Sequence, residues 1–394
     1  MRALTRYAVR EYVSTFVATL SGMTLFMMLL GVARHAVQQG LGLLPILRLL
    51  PYIIPDALRF SMPAAALLAA CSAFGRMSSD NEVVALKSLG ISPTALTTPV
   101  YVFALMASVF AVFVNDLCAS WGRPGVNRVV VESIEQIAYG MLRTQHTYDS
   151  KRFSITVKHV EGKRLIRPII VFRDGNGRTT LTLTAREAQL RRSMTSDALI
   201  VQITDGFVEA EGRGEIAFAG STEREIPLGR DSESELGLSP SDFPLWQLPA
   251  ARHDQREEIV AKRKAMATHA AYSLLSGNLA SLAAESWHEH QRQLGAAEYR
   301  LNRLTTEPWR RWANGFSCFF FVIVGAPLAI RARNSDFVTT FFACFLPILL
   351  VYYPLMEYGV DRAKSGSFPP YSVWLGNAIC LIVGWLLMKR VSRY

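Results

Sequence analysis

The stretch RMSSDNEVVALKSLGISP, residues 76–93, stands between two strongly apolar blocks of the sequence. Ser79 and Glu82 have the spacing of a capping box, in which a hydroxyl and a carboxylate each accept a hydrogen bond from a free backbone N–H at a helix start. Gly90 suits the left-handed position after a helix end, and the proline that follows cannot continue the helix. The stretch therefore predicts a helix over about residues 79–90, too short to cross a bilayer.

The overall composition lies between that of a soluble protein and that of a purely membrane-embedded one. Half of the 394 residues are hydrophobic, 19% are charged, and the mean hydropathy is +0.20. Such a chain is expected to combine spanning helices with a sizeable soluble domain. The net charge of +10 is explained by flanks that lie against anionic lipid, so nucleic acid is not expected as a partner.

Windows of bilayer length with few or no charges recur along the chain and predict six membrane-spanning helices. A long polar insert separates the first three windows from the last three. We expect the spans at residues 12–33, 51–75, 92–115, 312–330, 337–356 and 371–388. The first window is too long for a signal peptide and lacks a small-residue cleavage site, so we interpret it as a retained span. The predicted division is residues 1–118, 119–308 and 309–394.

The insert changes character along its length. Short β-branched runs with turn signals, among them DGNG at 174–177, predict strands over about residues 145–228 and favour an antiparallel sandwich or an open jelly-roll. Residues 127–143 have helical spacing and extend the third span. A polar linker, 229–242, precedes a helical connector over about residues 250–308.

Motifs for catalysis and metal binding are missing from the sequence. It contains no G-x-x-x-x-G-K-[ST] and no G-x-S-x-G. His288 and His290 are two residues apart, which on a helix turns the imidazoles to different faces, unlike a zinc pair. The five cysteines lie in or beside apolar runs without metal spacing. We therefore expect a non-enzymatic chain with no catalytic residue, metal site or cofactor.

Positive residues in the short flanks, such as Arg2, Arg6 and Arg10, predict a cytoplasmic N-terminus, which places the short helix on the cytoplasmic side and the insert on the outer side. The short helix admits two interpretations. Its apolar residues can face one way, while Glu82 and Lys87 stay accessible. These apolar residues are Val83, Val84, Leu86 and Leu89. The helix either packs beneath its own spans or docks a cytoplasmic partner, and helix signals at both ends favour a fixed shape.

Positive residues at the outer ends of the first and third spans form a second candidate site, namely Arg34, His35, Arg123 and Arg128. One interpretation is that they reach lipid phosphates by snorkelling. The other is direct contact with a phosphorylated, anionic substrate in the outer leaflet, because arginine forks suit phosphate oxygens.

The start of the second span carries Asp56 and Arg59 among several prolines. An ion pair at a helix end explains this pattern, and a broken helix that gates a cavity is the alternative.

Four stretches together give the chain a resemblance to the LptF/LptG family, the permease subunits of the lipopolysaccharide-export ABC transporter. They are RYAVREYVSTF (6–16), GRMSSDNEVVALKSLGISP (75–93), GRPGVNR (122–128) and GAPLAIRARNS (325–335). The resemblance covers nearly the whole chain. It implies six spans with a periplasmic β-jelly-roll, in an inner-membrane protein whose termini are cytoplasmic.

The resemblance also implies partners. They are a cytoplasmic ABC ATPase dimer that binds the ATP, a second permease of the family, a periplasmic jelly-roll bridge protein, and lipopolysaccharide or a related anionic glycolipid. The helix at 79–90 would be the coupling helix, with Glu82 as the acidic contact to the ATPase and Arg34 as the first-span contact to lipid phosphates. The residues expected to couple to the ATPase are Ser79, Glu82, Val83, Leu86, Lys87, Leu89 and Gly90.

Two other functions remain open on the residues alone. One is export of a different amphipathic lipid or of lipoproteins, and the other is a membrane scaffold whose periplasmic β domain binds a ligand. The helical section at 253–303 is longer than the usual connector of the family, which leaves the placement of the insert open.

Overall fold

A computed structural model describes most of the chain, and six of its helices are long and apolar enough to span a membrane by length and composition. These spans are Thr5–Arg34, Pro45–Ser79, Pro93–Val130, Trp287–Arg331, Phe341–Lys364 and Pro370–Arg393. The described residues are 2–39, 43–132, 134–149, 153–162, 164–173, 179–192, 198–210, 214–227, 239–277, 285–332 and 337–393. The predicted turn at 174–177 lies outside them. The six predicted windows are confirmed, although the helices extend beyond most of them.

The helices before the sheet are α1 (Arg2–Gln39), α2 (Leu43–Ser79), α3 (Glu82–Ser88), α4 (Pro93–Leu117), α5 (Arg123–Glu132) and α6 (Ile134–Gln145). Those after it are α7 (Leu248–Leu275), α8 (Glu285–Arg331), α9 (Phe337–Pro347), α10 (Tyr353–Lys364) and α11 (Leu375–Arg393). A π-helical turn joins α4 to α5 and another joins α9 to α10, so each pair continues as one span.

The described residues form two compact units. Unit 1 comprises Met1–Met27, Ile54–Gly122 and Leu238–Tyr394, and unit 2 comprises Met28–Ile53 and Arg123–Gly237. The predicted division at residues 118 and 308 stays a prediction.

Small residues let the helices of unit 1 pack closely. A Cβ built on Gly315 of α8 would lie 2.8 Å from the backbone nitrogen of Val112 in α4. One built on Gly384 of α11 would lie 2.9 Å from the carbonyl oxygen of Ile323 in α8. Because lipid is as apolar as the side chains, such close packing stabilises a bundle more than burial alone does.

Helix α2 is continuous through Pro51, Pro55 and Pro63, so the alternative of a broken entry helix is wrong. Asp56 accepts a hydrogen bond from the Cys118 thiol over 3.2 Å, which links α2 to the end of α4. In the same helix the Arg59 guanidinium lies 5.0 Å from the Phe60 ring centroid.

Helices α7 and α8 form an antiparallel hairpin within the segment predicted as a helical connector. Arg263 pairs with Glu298 at 2.6 Å, and farther along the hairpin His269 stacks between Trp287 and His290, with ring centroids 6.1 and 6.2 Å away. The described residues contain no group of three metal-ligating side chains.

Among the described residues, eight antiparallel strands make one sheet in unit 2, inside the stretch predicted to be β-rich. They are β1 (Thr147–Asp149), β2 (Phe153–Thr156), β3 (His159–Glu161), β4 (Arg164–Ile166), β5 (Ile169–Arg173), β6 (Thr179–Arg192), β7 (Ala198–Ala210) and β8 (Gly214–Pro227). The order is β1-β2-β5-β6-β4-β3, and β7 joins β6 to β8. Both β4 and β5 pair with the same edge of the long β6.

A line of backbone irregularities crosses the sheet, which is curled. Arg167 and Asp205 have positive φ angles of 49° and 47°, and the Asp205 carboxylate accepts the Gly220 N–H at 2.9 Å. The register between β7 and β8 shifts at the same place. On β6 the buried residues change from odd to even numbers between Ala185 and Ala188, because such irregularities reverse the alternation of side chains.

Helix α6 covers the apolar face of this sheet. Ala138, Tyr139 and Leu142 pack with buried strand residues such as Ile170. The Tyr139 hydroxyl accepts the Leu190 N–H at 2.9 Å and donates to the Leu190 carbonyl at 3.3 Å. The observed fold is therefore a mostly helical chain with a curled antiparallel sheet.

Candidate functional site

The loop between α2 and α4 contains the short helix predicted at 79–90, which is now α3. The capping box is wrong, because Ser79 ends α2 and its hydroxyl donates to the Arg76 carbonyl at 2.8 Å. The cap of α3 is Asn81, whose left-handed backbone (φ 62°) turns the chain sharply. Asparagine tolerates this conformation better than most residues.

The end of α3 follows the prediction. Gly90 has φ 76°, its N–H bonds the Lys87 carbonyl at 2.9 Å, and the Ile91 N–H bonds the Leu86 carbonyl at 3.0 Å. This pair of bonds is the Schellman motif, which satisfies carbonyls that a helix end leaves free. Pro93 then begins α4.

The predicted single apolar face of α3 is wrong, since its apolar residues divide between two faces. Val83 is 4% exposed and Leu86 packs against the core of unit 1. Val84 is 45% exposed and Leu89 is 75% exposed. The helix therefore packs on its own spans and also presents apolar side chains outward, and docking to a partner stays a prediction.

Polar contacts hold α3 against the ends of other helices. The Tyr7 hydroxyl donates to the Glu82 carboxylate at 3.2 Å, and the Lys87 ammonium donates to the Val391 carbonyl at 2.8 Å. Glu82 and Lys87 are both half-buried, although the sequence predicted that both are accessible. The N-terminal part of α1 and the last turn of α11 both meet α3, and we call this part of unit 1 the termini end.

Two contacts behind α3 complete the termini end. Arg76 forms a salt bridge with Glu11 of α1. The buried Ser78 hydroxyl donates to the Ile330 carbonyl at 2.7 Å, which joins the last turn of α2 to that of α8. Four spans are therefore linked around the short helix.

The predicted basic site falls in unit 2, on α1 and α5. Arg34 and Arg128 are exposed and Arg123 is half-buried, whereas the side chain of His35 lies outside the described part of the chain. Arg123 and Arg128 are five residues apart on one helix, which turns them about 140° from each other. The structure therefore does not place these two arginines on one face of α5.

Arg34 is exposed on α1. Val32 packs in a cluster with Leu49, Ile53 and Val129. A residue two positions farther along an α-helix lies about 200° around the axis. Arg34 therefore lies on a different side of α1 from Val32.

The motif at 122–128 has a structural role. A Cβ on Gly125 would overlap the Tyr52 ring, so only glycine allows α5 to approach α2 at this point. This close approach to α2 fixes the position of α5 and therefore of Arg123 and Arg128.

A buried ionic network at the other end of unit 1 was missed from the sequence. Arg311 of α8 is 4% exposed and donates to Asp116 at 2.6 Å and Glu307 at 3.1 Å. It also donates to the carbonyls of Ser241 and Phe243 at 3.1 and 2.8 Å. One guanidinium therefore fastens the segment before α7 to α4 and α8.

The carboxylates of this network have further partners. Arg310 forms a fork with Glu307 at 3.0 and 2.7 Å, and Asp116 accepts the Leu245 N–H at 2.9 Å. The spacing of Glu307, Arg310 and Arg311 on one helix was a visible signal of pairing. The partner Asp116 is 195 residues away from Arg311 and carried no such signal.

Comparison with known proteins identifies one family. The model for "Lipopolysaccharide export system permease LptF/LptG" matches residues 6–390. No curated protein matches the chain. The family match includes α3, the basic residues of α1 and α5, and the ionic network.

Proposed function

The chain belongs to the LptF/LptG family of lipopolysaccharide export permeases, and on this premise we propose how it works within a transporter. The chain extracts lipopolysaccharide from the outer leaflet of the inner membrane and passes it to a periplasmic jelly-roll bridge. A cytoplasmic ATPase dimer drives the step, and a second permease of the family completes the cavity. The observation that carries this proposal is the family match over nearly the whole chain together with six apolar spans.

The proposed orientation places the termini end in the cytoplasm. Lys87, Arg331, Arg390 and Arg393 all lie at this end. Positive residues in short flanks are typical of the cytoplasmic side. In this orientation the sheet of unit 2 is periplasmic, and it is the proposed jelly-roll.

We assign α3 as the coupling helix that meets the ATPase. Val84 and Leu89 present an apolar surface, while Val83 and Leu86 fix the helix to the bundle. A helix of seven residues is unstable alone, so its shape comes from these contacts. The same contacts would transmit a displacement of α3 to the spans.

Glu82→Ala should reduce co-purification of the ATPase or uncouple ATP hydrolysis from transport. Since Glu82 also accepts the Tyr7 hydroxyl, the loss could instead arise inside the chain. Tyr7→Phe is the matched control, because it removes the internal hydrogen bond and keeps the carboxylate. An effect of Glu82→Ala that Tyr7→Phe fully reproduces would contradict a direct contact with the ATPase.

The export step must keep the lipid away from water. Moving acyl chains into water costs about 0.8 kcal/mol per methylene, or about 10 kcal/mol for a chain of a dozen. The proposed path therefore runs from an apolar cavity between two permeases to the curled sheet of unit 2. Exposed apolar residues of α1, such as Leu25, Phe26 and Leu29, fit a wall of that cavity.

Arg34 is the proposed contact to lipid phosphates, because it is exposed and lies on a different side of α1 from the packed Val32. Arg34→Glu should weaken cross-linking of the chain to lipopolysaccharide. Arg48→Glu is the matched control, since Arg48 is also an exposed arginine in unit 2 but belongs to α2. Equal cross-linking of both variants and the parent chain would contradict a direct contact of Arg34 with the substrate. Snorkelling to lipid phosphates would then be the remaining role of Arg34.

The bridge protein is proposed to pair with an edge of the sheet. Strand β8 is 14 residues long and pairs with β7. An exposed strand edge binds another strand through backbone hydrogen bonds.

Mass spectrometry of the co-purified lipid would identify the substrate, and a lipid other than lipopolysaccharide would redirect the proposal to a related exporter.

A further inference from the structure

A basic pocket of about 980 Å³ opens at the termini end of unit 1. Its described lining consists of Lys87, Ile330, Arg331, Arg390, Val391 and Arg393. Four of these residues are positive and two are apolar. An anion is the expected ligand for such a lining.

The position of the pocket is at the ends of two membrane-spanning helices. Arg331 is the last residue of α8, and Arg390 and Arg393 belong to the last turn of α11. The Lys389 ammonium lies 5.1 Å from the ring centroid of Trp385, and Trp385 is exposed. Aromatic residues of this kind mark the membrane interface.

The distance along α11 places the arginines at the height of lipid headgroups. Arg390 follows Trp385 by five residues and Arg393 follows it by eight. At 1.5 Å per residue these steps correspond to roughly 7 and 12 Å beyond the aromatic ring. Arginines just outside the aromatic belt face phosphates rather than acyl chains.

A second cavity beside the basic pocket is apolar. It measures about 160 Å³ and shares Arg331 with the basic pocket. Its other lining residues are Leu328 of α8, Ala332 just after it, and Ala343 and Cys344 of α9. A charged pocket next to an apolar cleft matches a molecule with an anionic head and an acyl chain, whereas an acidic side chain of a protein partner would fill only the first.

We propose that the basic pocket binds the phosphate headgroup of an anionic phospholipid from the leaflet at the termini end. The adjoining cleft takes the start of an acyl chain. Lys87 belongs to α3 and bonds the Val391 carbonyl of α11, so the bound phosphate lies beside the contact that joins these helices. The lipid would thereby stabilise the contact between α3 and α11. This role goes beyond the proposed function in export.

The test measures lipid retention by the full-length chain within its purified complex. Native mass spectrometry compares dioctanoyl phosphatidylglycerol, dioctanoyl phosphatidylcholine and inorganic phosphate as probes. The parent chain should retain phosphatidylglycerol in preference to the other two. The double variant R390Q/R393Q should retain it about 25-fold less, from about five-fold for each positive residue near a lipid surface.

The matched control is R6Q/R10Q, which removes two exposed arginines from α1 outside the pocket lining. This variant should retain phosphatidylglycerol as the parent chain does. Equal retention by R390Q/R393Q and the control would overturn the proposal. Inorganic phosphate bound as tightly as phosphatidylglycerol would also overturn it, in favour of a free-anion site.

A third outcome would also overturn the proposal, namely loss of the ATPase from R390Q/R393Q with unchanged lipid retention. The pocket would then be a protein interface. Lipid retention is read without transport, so failure here leaves the proposed export function standing. Conversely, a lipid-binding pocket in a chain that does not export lipopolysaccharide would leave this inference standing.

Discussion

Replacing Arg311 with methionine should weaken unit 1 more than replacing any neighbouring charge. The substitution keeps a long apolar side chain but removes four hydrogen bonds, two to carboxylates and two to carbonyls. Asp116 would keep the Leu245 N–H, and Glu307 would keep the Arg310 fork. The perturbation therefore removes one shared partner from a buried network.

The expected cost follows from burial. Breaking a buried ion pair by removing one partner costs about 3–5 kcal/mol. The side chain of Asp116 is 23% exposed, and both carboxylates keep another donor, so we expect a loss of about 3 kcal/mol in the free energy of unfolding. Arg310→Met is the matched control, since Arg310 is 18% exposed and its fork ends on Glu307. Its loss should cost about 1 kcal/mol.

The assay is unfolding in mixed micelles titrated with dodecyl sulfate, followed by tryptophan fluorescence. Chymotrypsin provides a second reading, because Phe243 and Leu245 lie in the segment that Arg311 holds. We expect R311M to unfold first and to be cut faster in this segment. Equal unfolding free energies and equal cleavage for R311M and R310M would refute the reasoning.

Three other substitutions test the packing described above. Gly315→Ala should cost about 1–3 kcal/mol in unfolding free energy because its Cβ would meet the backbone of α4, whereas Gly22→Ala, with nothing within 4 Å, should not. Tyr139→Phe should cost about 1–3 kcal/mol, measured by thermal unfolding of the sheet, because it removes both bonds to Leu190. Gly90→Ala forces a side chain into φ 76°, and should lower coupled ATPase activity by loosening the end of α3 at a cost of about 1 kcal/mol.

The spans and strands were predictable because they depend on local patterns. Apolar windows and β-branched runs indicate which residues of a segment can be buried. This signal does not depend on which other segment packs against them. Gly90 was predictable for the same reason, since a left-handed helix end requires a particular residue at one position.

The error at Ser79 shows where local signals fail. The capping spacing to Glu82 is genuine, but α2 continues to Ser79 because Met77 and Ser78 are buried against the bundle. The Ser78 hydroxyl bonds Ile330, which is 252 residues away. A tertiary contact thus extended one helix through the residue that was expected to begin the next.

The same limit applies to the polar contacts that fix α3 and the network around Arg311. Lys87 bonds a residue 304 positions away, and Arg311 bonds one 195 positions away. Each side chain looked like an ordinary flanking charge in the sequence. Only the packing of the spans decides which flanking charges meet.

The contacts of α3 determine which spans a displacement of α3 would reach. A seven-residue helix has too little internal cooperativity to keep its shape alone. Its side-chain bonds run to Tyr7 near the start of α1 and to Val391 near the end of α11. A partner that moves α3 must therefore move α1 and α11 or break these bonds. Since α1 carries Arg34, the helix that receives the displacement is also the one proposed to contact the lipid.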